Sequence, residues 1–221
     1  MLDDGFVRLD AQMGDDLSVV NAARVSFGSH ADVLDERNQG LVRFLMRERH
    51  GTPFEHNAFR FHVRCPIFVA REWFRHRVGS FNEMSGRYAE LAEAFYVPAA
   101  DDVRTQVGKP GAYTFQPVDT ALAERTRSAM QASYTAAYAT YRSLLDEGVA
   151  KEVARSVLPV GIYTEFYWTV NARSIMHFLS LRNNEAAQRE IRAFAGAVEE
   201  LWGTHMPVTH AAFVANDRTA P

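Results

Sequence analysis

The chain has 221 residues, of which 47% are hydrophobic and 23% are charged, and its formal net charge is −3 at pH 7. This apolar content suffices for a packed core, so we predict one domain over residues 1–221 and exclude a disordered chain. No apolar run approaches the roughly 20 residues that a membrane span needs, and the acidic N-terminus lacks a signal-peptide pattern, so we expect no membrane partner and a cytoplasmic location.

The cysteine and arginine content limits the chemistry further. Cys65 is the only cysteine, which excludes an internal disulfide and a cysteine-cluster metal site, and we expect it to be a small buried hydrophobe. Arginine supplies 22 of the 24 basic residues. Compositional bias of a GC-rich genome would explain that excess, so the positions of the arginines are more informative than their number.

The N-terminal part of the chain predicts a strand and two helices. Residues 6–9 form the strand, and Asp15 or Asp16 can cap a helix that runs to about residue 27. A second helix ends near residues 50–51. Its apolar face comprises Leu41, Phe44 and Leu45.

The next segment predicts a half-buried strand over residues 54–64, because apolar and polar positions alternate there. Its buried face comprises Phe59, Phe61 and Val63. Pro66 suits the first turn of a following helix. An arginine-rich segment, residues 75–87, lies at the end of that helix and in the loop after it.

Residues 98–117 contain several prolines and glycines and predict an exposed loop. A long helix follows to about Glu147, where Gly148 can end it. A short helix over residues 149–158 then precedes an aromatic strand at residues 163–170.

Three more helices complete the chain. Asn171 can cap the first, the second spans residues 186–202, and the last begins at Pro207. The strands are few and do not alternate regularly with helices, which favours an α+β fold over a doubly wound α/β fold.

The arginine-rich segment carries the strongest chemical signal. The planar guanidinium groups of Arg75 and Arg87 suit phosphate and carboxylate oxygens. Gly86 lets the backbone approach a ligand closely, Ser85 adds a hydroxyl donor, and Glu83 can accept from a ring N–H or hold an arginine. The segment indicates a cradle for an anionic ligand, and the alternative is an exposed polar turn with weak surface ion pairs.

A second polar group follows the aromatic strand. Arg173 and His177 are four residues apart and share a helix face, and Arg182 is expected just past the helix. Asn171 stands at the helix start, where amides bind anions or carbonyls well. The alternative is a capped surface helix with ordinary polar positions.

A third group surrounds Pro53. His50, Glu55 and His56 suggest a metal, but the proline and the spacing do not match a helical zinc pair, so we predict no metal site. A turn whose histidine and threonine side chains line a cleft fits better. Arg155, in the short helix, is a further candidate, with an ordinary surface arginine as the alternative.

The arginine-rich segment resembles the RHR-x7-SxR signature of flavin-dependent thymidylate synthases. Arg75-His76-Arg77 is followed, after seven residues, by Ser85-Gly86-Arg87. The resemblance covers about residues 5–205, because further segments resemble the same family in the same order. These are residues 21–27, 50–56, 70–74, 95–98, 154–159 and 169–174.

The resemblance implies a fold and a reaction. The implied fold is α+β, an antiparallel sheet flanked by helices, assembled as a homotetramer with active sites shared between subunits. The implied reaction converts dUMP to dTMP, with methylenetetrahydrofolate as the carbon donor and NADPH as the reductant of a bound FAD. A lone cysteine outside the motif agrees with flavin chemistry rather than a cysteine adduct.

The resemblance also assigns residues. It assigns FAD contacts to Thr52, Arg75, His76, Arg77, Glu83, Asn171, Arg173 and His177. It assigns dUMP contacts to Glu72, Arg75, Glu83, Met84, Ser85, Gly86, Arg87, Arg155 and Arg182. The catalytic set is Arg182, His50 and Ser85.

Within that set, Arg182 is implied to hold the uracil ring and stabilise negative charge on it. His50 is implied to place water or folate, and Ser85 to contact the nucleotide rather than act as a nucleophile. Two positions depart from relatives: His177 stands where some carry Asn, and Glu72 where some carry Gln, which argues against a direct phosphate contact at Glu72.

Two other classes of function compete with this interpretation. A nucleotide- or RNA-binding module would need a basic face with stacking aromatics, and the acidic net charge and scattered arginines argue against it, so we expect no nucleic-acid partner. An inactive structural subunit is the other class, and the intact signature argues against it.

Overall fold

The computed structural model describes residues 1–221 and contains six strands and eight α-helices. The strands are β1 (Phe6–Met13), β2 (Ala58–Pro66), β3 (Ser80–Glu83), β4 (Arg104–Lys109), β5 (Ala112–Pro117) and β6 (Tyr163–Val170). The helices are α1 (Asp16–Arg24), α2 (Glu36–Arg47), α3 (Ile67–Trp73), α4 (Thr120–Asp146), α5 (Lys151–Ala154), α6 (Ala172–Arg182), α7 (Arg189–His205) and α8 (Pro207–Ala215).

Four of the strands form one antiparallel sheet in the order β1-β2-β6-β3. Its central pair places Phe61 of β2 opposite Trp168 of β6. Phe59, Phe61 and Val63 are fully buried, as the alternation in β2 predicts. The predicted α+β class, with an antiparallel sheet flanked by helices, is confirmed.

An aromatic cluster joins the sheet to three helices. The ring of Trp73 on α3 lies 4.7 Å from Phe178 on α6, 5.4 Å from Trp168 on β6 and 6.3 Å from Phe194 on α7. Each such aromatic pair contributes about 0.5–1.5 kcal/mol beyond the area it buries. This cluster fixes the ends of α3 and α6, which carry many of the candidate site residues, relative to each other.

Asp15 and Asp16, the two candidate caps for α1, cap different helices. Asp15 caps α1 by accepting hydrogen bonds from the N–H groups of Leu17 and Ser18. The buried Asp16 instead accepts from the N–H groups of Val208 and Thr209, both at 2.8 Å, and so caps α8. The two adjacent carboxylates therefore cap two different helices, α1 and α8.

Two predicted loops contain strands. β3 lies inside the arginine-rich segment and pairs with β6 as an edge strand, although its exposed polar residues show no apolar alternation. The predicted loop at residues 98–117 is exposed, but it contains the β4–β5 hairpin, which turns at Pro110 and Gly111. Gly111 has φ +83°, the left-handed conformation that a proline–glycine turn requires.

Two other predictions need correction: β2 begins four residues later than predicted because Thr52–Glu55 form a 3₁₀ helix, and the predicted helix at residues 149–158 is the short α5 followed by a 3₁₀ turn at Arg155–Val157. α4 ends at Asp146, and Gly148 follows it with φ +85°. β6 matches the predicted strand, whereas α7 begins and ends three residues later than predicted. Cys65 is buried, as expected. Among all eight α-helices, none combines the length and the apolar character needed to cross a membrane.

Candidate functional site

The ends of α3 and α6 bring three of the candidate residues into one hydrogen-bonded group, here called the Arg182 cluster: Glu72, His76 and Arg182. Arg182 Nε donates to His76 Nε2 at 3.0 Å. Arg182 Nη1 donates to the Glu72 carboxylate at 3.4 Å, and Nη2 donates to the Glu72 carbonyl oxygen at 3.5 Å. A guanidinium has five N–H groups, so two remain free for a ligand.

The imidazole of His76 is neutral in this cluster. Arginine only donates, so His76 Nε2 must be unprotonated to accept from it, and the proton sits on Nδ1. Burial, together with the neighbouring positive charge of Arg182, lowers the pKa of His76 to about 4. At neutral pH, His76 therefore accepts a hydrogen bond and carries no charge.

The carboxyl group of Glu72 is affected by opposing influences. Burial raises its pKa, the neighbouring charge of Arg182 lowers it, and the net shift is upward. Its side chain is 28% exposed and that of Arg182 is 21% exposed. The ion pair is thus only partly shielded from solvent at the edge of the site.

The residues after β3 form a second group, here called the Ser85 turn, residues 83–87. Glu83 accepts a hydrogen bond of 2.7 Å from the Thr164 hydroxyl. The Ser85 hydroxyl accepts from the N–H of Arg87 at 3.3 Å, and Arg87 Nη2 lies 3.0 Å from the Tyr88 hydroxyl. The turn is therefore held mainly by short-range contacts and by the edge of the sheet.

Gly86 connects this turn to Arg155. A Cβ atom at Gly86 would lie 3.2 Å from Arg155 Cδ and 3.1 Å from Leu91 Cδ1, which is tighter than most real contacts. Glycine permits this close approach. The fold thus places Arg155 beside the Ser85 turn, although the two are far apart in sequence.

The third group lies around a cleft of about 410 Å³ that we call the His50 cleft. His50, Thr52 and His56 line it, together with Phe27 and Phe44. The His50 ring lies 5.9 Å from the Phe44 ring. This agrees with the prediction that histidine and threonine side chains line a cleft.

Arg173 lies beside this cleft and is already engaged. It forms an ion pair with Glu55, and its Nε donates to the Pro221 carbonyl at 3.0 Å. A Cβ atom at Gly51 would lie 2.5 Å from Arg173 Nε, so the backbone passes very close to the guanidinium. Asn171 caps α6 by accepting from the N–H of Ser174 at 2.9 Å, as predicted.

Four candidate residues are exposed, and their side chains form no hydrogen bond or ion pair within the chain. These are Arg75, Arg77, Arg155 and His177. Unengaged guanidinium groups at one end of a helix are suited to phosphate oxygens. This donor set fits a phosphorylated ligand such as a nucleotide or a dinucleotide cofactor.

Within one chain the three groups remain separate. No hydrogen bond or ion pair links the Arg182 cluster, the Ser85 turn and the His50 cleft to one another.

The sequence predicted no supporting role for three residues that orient site side chains. Thr164 holds Glu83, and Glu55 holds Arg173. Asn57 accepts from the N–H of Ala172 at 2.7 Å and so fixes the start of α6. Of the three, only Glu55 has a signal in the sequence, because it lies between the two histidines. That position suggested a metal ligand rather than a partner for Arg173.

The fold and these groups define a class: an α+β protein with exposed arginine donors of a kind that suits phosphorylated ligands. Residues 8–208 match the family model described as thymidylate synthase complementing protein. The chain is 50% identical to the flavin-dependent thymidylate synthase of Streptomyces coelicolor, covering 97% of this chain and 93% of the relative. It is 47% identical to that of Thermosipho africanus, covering 97% and 92%.

Solved structures agree with these relatives. A crystal structure of the UMP/dUMP methylase PolB from Streptomyces cacaoi, bound with 5-Br UMP, superposes with a TM-score of 0.91 at 45% identity, covering 99% of this chain and 97% of the other. The same methylase bound with 5-Br dUMP gives a TM-score of 0.92. The chain therefore belongs to the thymidylate synthase complementing protein family, whose members include the flavin-dependent thymidylate synthases.

Proposed function

We propose that the protein reductively methylates dUMP to dTMP, with methylenetetrahydrofolate as the carbon donor and NADPH as the reductant through FAD. The observation that carries this proposal is the Arg182 cluster. It presents a guanidinium with two unused N–H groups beside the exposed arginines that end α3. A fixed cation of this kind can stabilise charge that develops on a uracil ring.

The Ser85 turn is proposed to bind the nucleotide. Ser85, Gly86 and Arg87 offer a hydroxyl, a close backbone approach and a guanidinium. Arg155 adds a second guanidinium beside Gly86. Met84 and Glu83 extend the same edge, where Glu83 is already oriented by Thr164. Two arginine forks with backbone donors match the needs of a phosphate group.

FAD is proposed to bind residues of the segment after α3, of α6 and of the His50 cleft, together with Glu83. The residues that would hold it are Thr52, Arg75, His76, Arg77, Glu83, Asn171, Arg173 and His177. When bound, FAD supplies the hydride that it receives from NADPH. His177 is exposed and able to donate or accept, so its difference from the Asn of some relatives preserves a hydrogen-bonding group.

His50 is proposed to position water or the folate in its cleft. Its side chain is exposed and forms no hydrogen bond within the chain. Phe44 packs against the ring. An imidazole with both nitrogens unused is free to bind a ligand on either side.

We also propose that the protein is a homotetramer whose active sites are shared between subunits. Within one chain no hydrogen bond or ion pair joins the three groups, which supports this, because dUMP and FAD must meet for the reaction. Light scattering should give a mass about four times the 24.9 kDa of the chain. A monomer with full activity would contradict the proposal.

A subunit-mixing experiment tests the sharing itself. Arg87→Ala and Arg173→Ala change two separate groups, so each homotetramer should be weakly active. Unfolding and refolding the two variants together should restore activity if the groups from different chains complete one site. No recovery would place both groups of each site in the same chain.

The reaction is tested with purified protein, FAD, NADPH and methylenetetrahydrofolate. We expect dTMP from dUMP, and an oxidised-flavin absorbance that bleaches when NADPH is added without oxygen. UMP should be assayed in parallel, because a similar structure is named a UMP/dUMP methylase. Protein that takes up no FAD would contradict the proposal, and methylation of UMP alone would change its substrate.

A further inference from the structure

The guanidinium of Arg182 is held by one short segment of the chain. Three of its five N–H groups donate to Glu72 and His76, which lie four residues apart at the end of α3. Arg182 itself ends α6. The cluster therefore joins two helices and leaves the long arginine side chain little rotational freedom.

His76 and Glu72 hold the guanidinium in different ways. His76 offers a neutral nitrogen, which accepts from Nε and fixes the plane of the group. The Glu72 carboxylate offers a charge and accepts from Nη1, while its own carbonyl accepts from Nη2. Removing the Glu72 carboxylate would leave the outer end of the guanidinium held only by a long hydrogen bond to a carbonyl.

We propose that Glu72 is a positioning residue for Arg182, and that its ionised carboxylate orients the two unused N–H groups of the guanidinium toward the uracil ring. The proposal rests on the proposed function, in which Arg182 faces that ring. It gives Glu72 a role distinct from binding the phosphate, which a carboxylate would repel. Fixing donors before the substrate arrives removes an orientational cost from the chemical step.

The ionisation of Glu72 gives this role a pH dependence. The charged groups that face it are Arg182 from α6, Glu190 from α7 and Arg75 from its own segment. Burial and Glu190 raise the pKa of Glu72, while the two arginines lower it, and the net shift is upward. As the pH falls through this raised pKa, the carboxylate is protonated and its hold on Arg182 weakens.

Two substitutions separate charge from hydrogen bonding. Glu72→Gln keeps an acceptor oxygen but has no charge at any pH, and Glu72→Ala removes both. We expect Glu72→Ala to lower kcat by about tenfold while the KM for dUMP and the uptake of FAD change by less than about threefold, since orientation acts on the chemical step.

Glu72→Gln should keep more activity than Glu72→Ala near neutral pH. It should also lose the acid-side decline of kcat that Glu72 contributes in the wild type. His76 has the lower pKa, about 4, so its protonation is expected at a lower pH. Glu124→Gln is the matched control, because it removes an exposed, arginine-paired carboxylate on α4.

A measurement made without ligands tests the positioning role independently of the reaction. With ¹⁵N-labelled arginine, the Nε–H signal of Arg182, assigned by its loss in Arg182→Lys, should be observable in the flavin-free protein. It should broaden in Glu72→Ala. Above the pH at which His76 is protonated, it should shift with pH in the wild type but not in Glu72→Gln.

Failure of the positioning role and failure of the proposed function would give different results. An unchanged Arg182 signal in Glu72→Ala, or an acid-side kcat profile in Glu72→Gln that matches the wild type, would overturn the positioning role. Wild-type protein that makes no methylated nucleotide, yet shows the expected Arg182 signals, would overturn the proposed function and leave the orienting contact intact.

Discussion

Arg182 illustrates how a single residue acquires a specific role from its neighbours. Arginine is abundant in this chain, supplying 22 of its 24 basic residues. At Arg182, three hydrogen bonds from one guanidinium hold it against the end of α3. Its fixed orientation, rather than its charge alone, makes it suited to stabilise a developing negative charge.

Arg182→Ala is therefore expected to lower kcat/KM for dUMP by about 100-fold or more, because a preorganised donor to the reacting ring is lost. Steady-state kinetics and flavin absorbance measure the effect, and FAD uptake should be unchanged. Arg192→Ala, on α7 outside the three groups, is the control. Near wild-type dTMP formation by Arg182→Ala would contradict the assigned role.

Gly86 provides a second test at the residue scale. A methyl group there must displace Arg155 or Leu91, whose side-chain atoms lie 3.2 and 3.1 Å from the added Cβ. We expect Gly86→Ala to raise the KM for dUMP by about three- to tenfold, since one guanidinium of the nucleotide site moves.

Gly196→Ala is the matched control for this change. No atom lies within 4 Å of a Cβ at that position on α7, and the substitution should stabilise the helix by up to about 1 kcal/mol. An unchanged KM in Gly86→Ala would show that the close approach to Arg155 does not shape the nucleotide site.

At the scale of elements, the helices were predictable because their caps are local. Asp15 and Asn171 stand directly before helices and accept the hydrogen bonds expected of capping residues. β3 was not predictable in the same way. Ser80–Glu83 has no apolar alternation, and it becomes a strand only because β6 offers an unpaired edge.

The sequence contains a turn signal for the β4–β5 hairpin, but the whole segment was predicted to be a loop. Pro110 and Gly111 form a tight turn, and the residues on either side include aromatic and β-branched side chains. The prolines and glycines of the segment made it resemble a loop in sequence, although two of them form the turn of a regular hairpin.

Asn171 allows a test of one element. Asn171→Ala should reduce the free energy of unfolding by about 1 kcal/mol, because the N–H of Ser174 loses its partner at the start of α6. Urea titration followed by circular dichroism measures this. Asn171→Asp keeps the acceptor oxygen and should lose much less stability, whereas equal losses in both variants would point away from capping.

At the scale of the whole molecule, Glu199 connects distant parts of the chain. Its carboxylate accepts from His210 at 2.9 Å, from Arg218 at 3.2 Å and from Asn183, the residue after Arg182. Burial alone would raise the pKa of Glu199, but these hydrogen bonds and charges outweigh it, and its pKa is lowered.

This lowered pKa predicts how stability depends on pH. The contribution of Glu199 is fully present above the ordinary carboxyl pKa of about 4.3 and is lost as the pH falls through the lower pKa of the folded state. Glu199→Gln should therefore lower stability at neutral pH and flatten its decline in acid. Denaturant titrations at several pH values measure this, and Glu200→Gln on the exposed face of α7 is the control.

The sequence by itself determined the α+β class, the positions of most helices, the buried face of β2 and the family to which the chain belongs. These features depend on local periodicity, on capping residues and on motifs such as Arg75-His76-Arg77 with Ser85-Gly86-Arg87. Each can be recognised from residues close together in the chain, because its physical cause lies within a few residues.

Only the tertiary structure decided which of these residues meet. It placed Arg182 against Glu72 and His76, Arg155 against Gly86, and Glu55 against Arg173. These contacts join segments that are separated by tens of residues, and their geometry is set by the packing of Trp73, Trp168 and Phe178. No local pattern contains that information, since it arises from how the helices pack on the sheet.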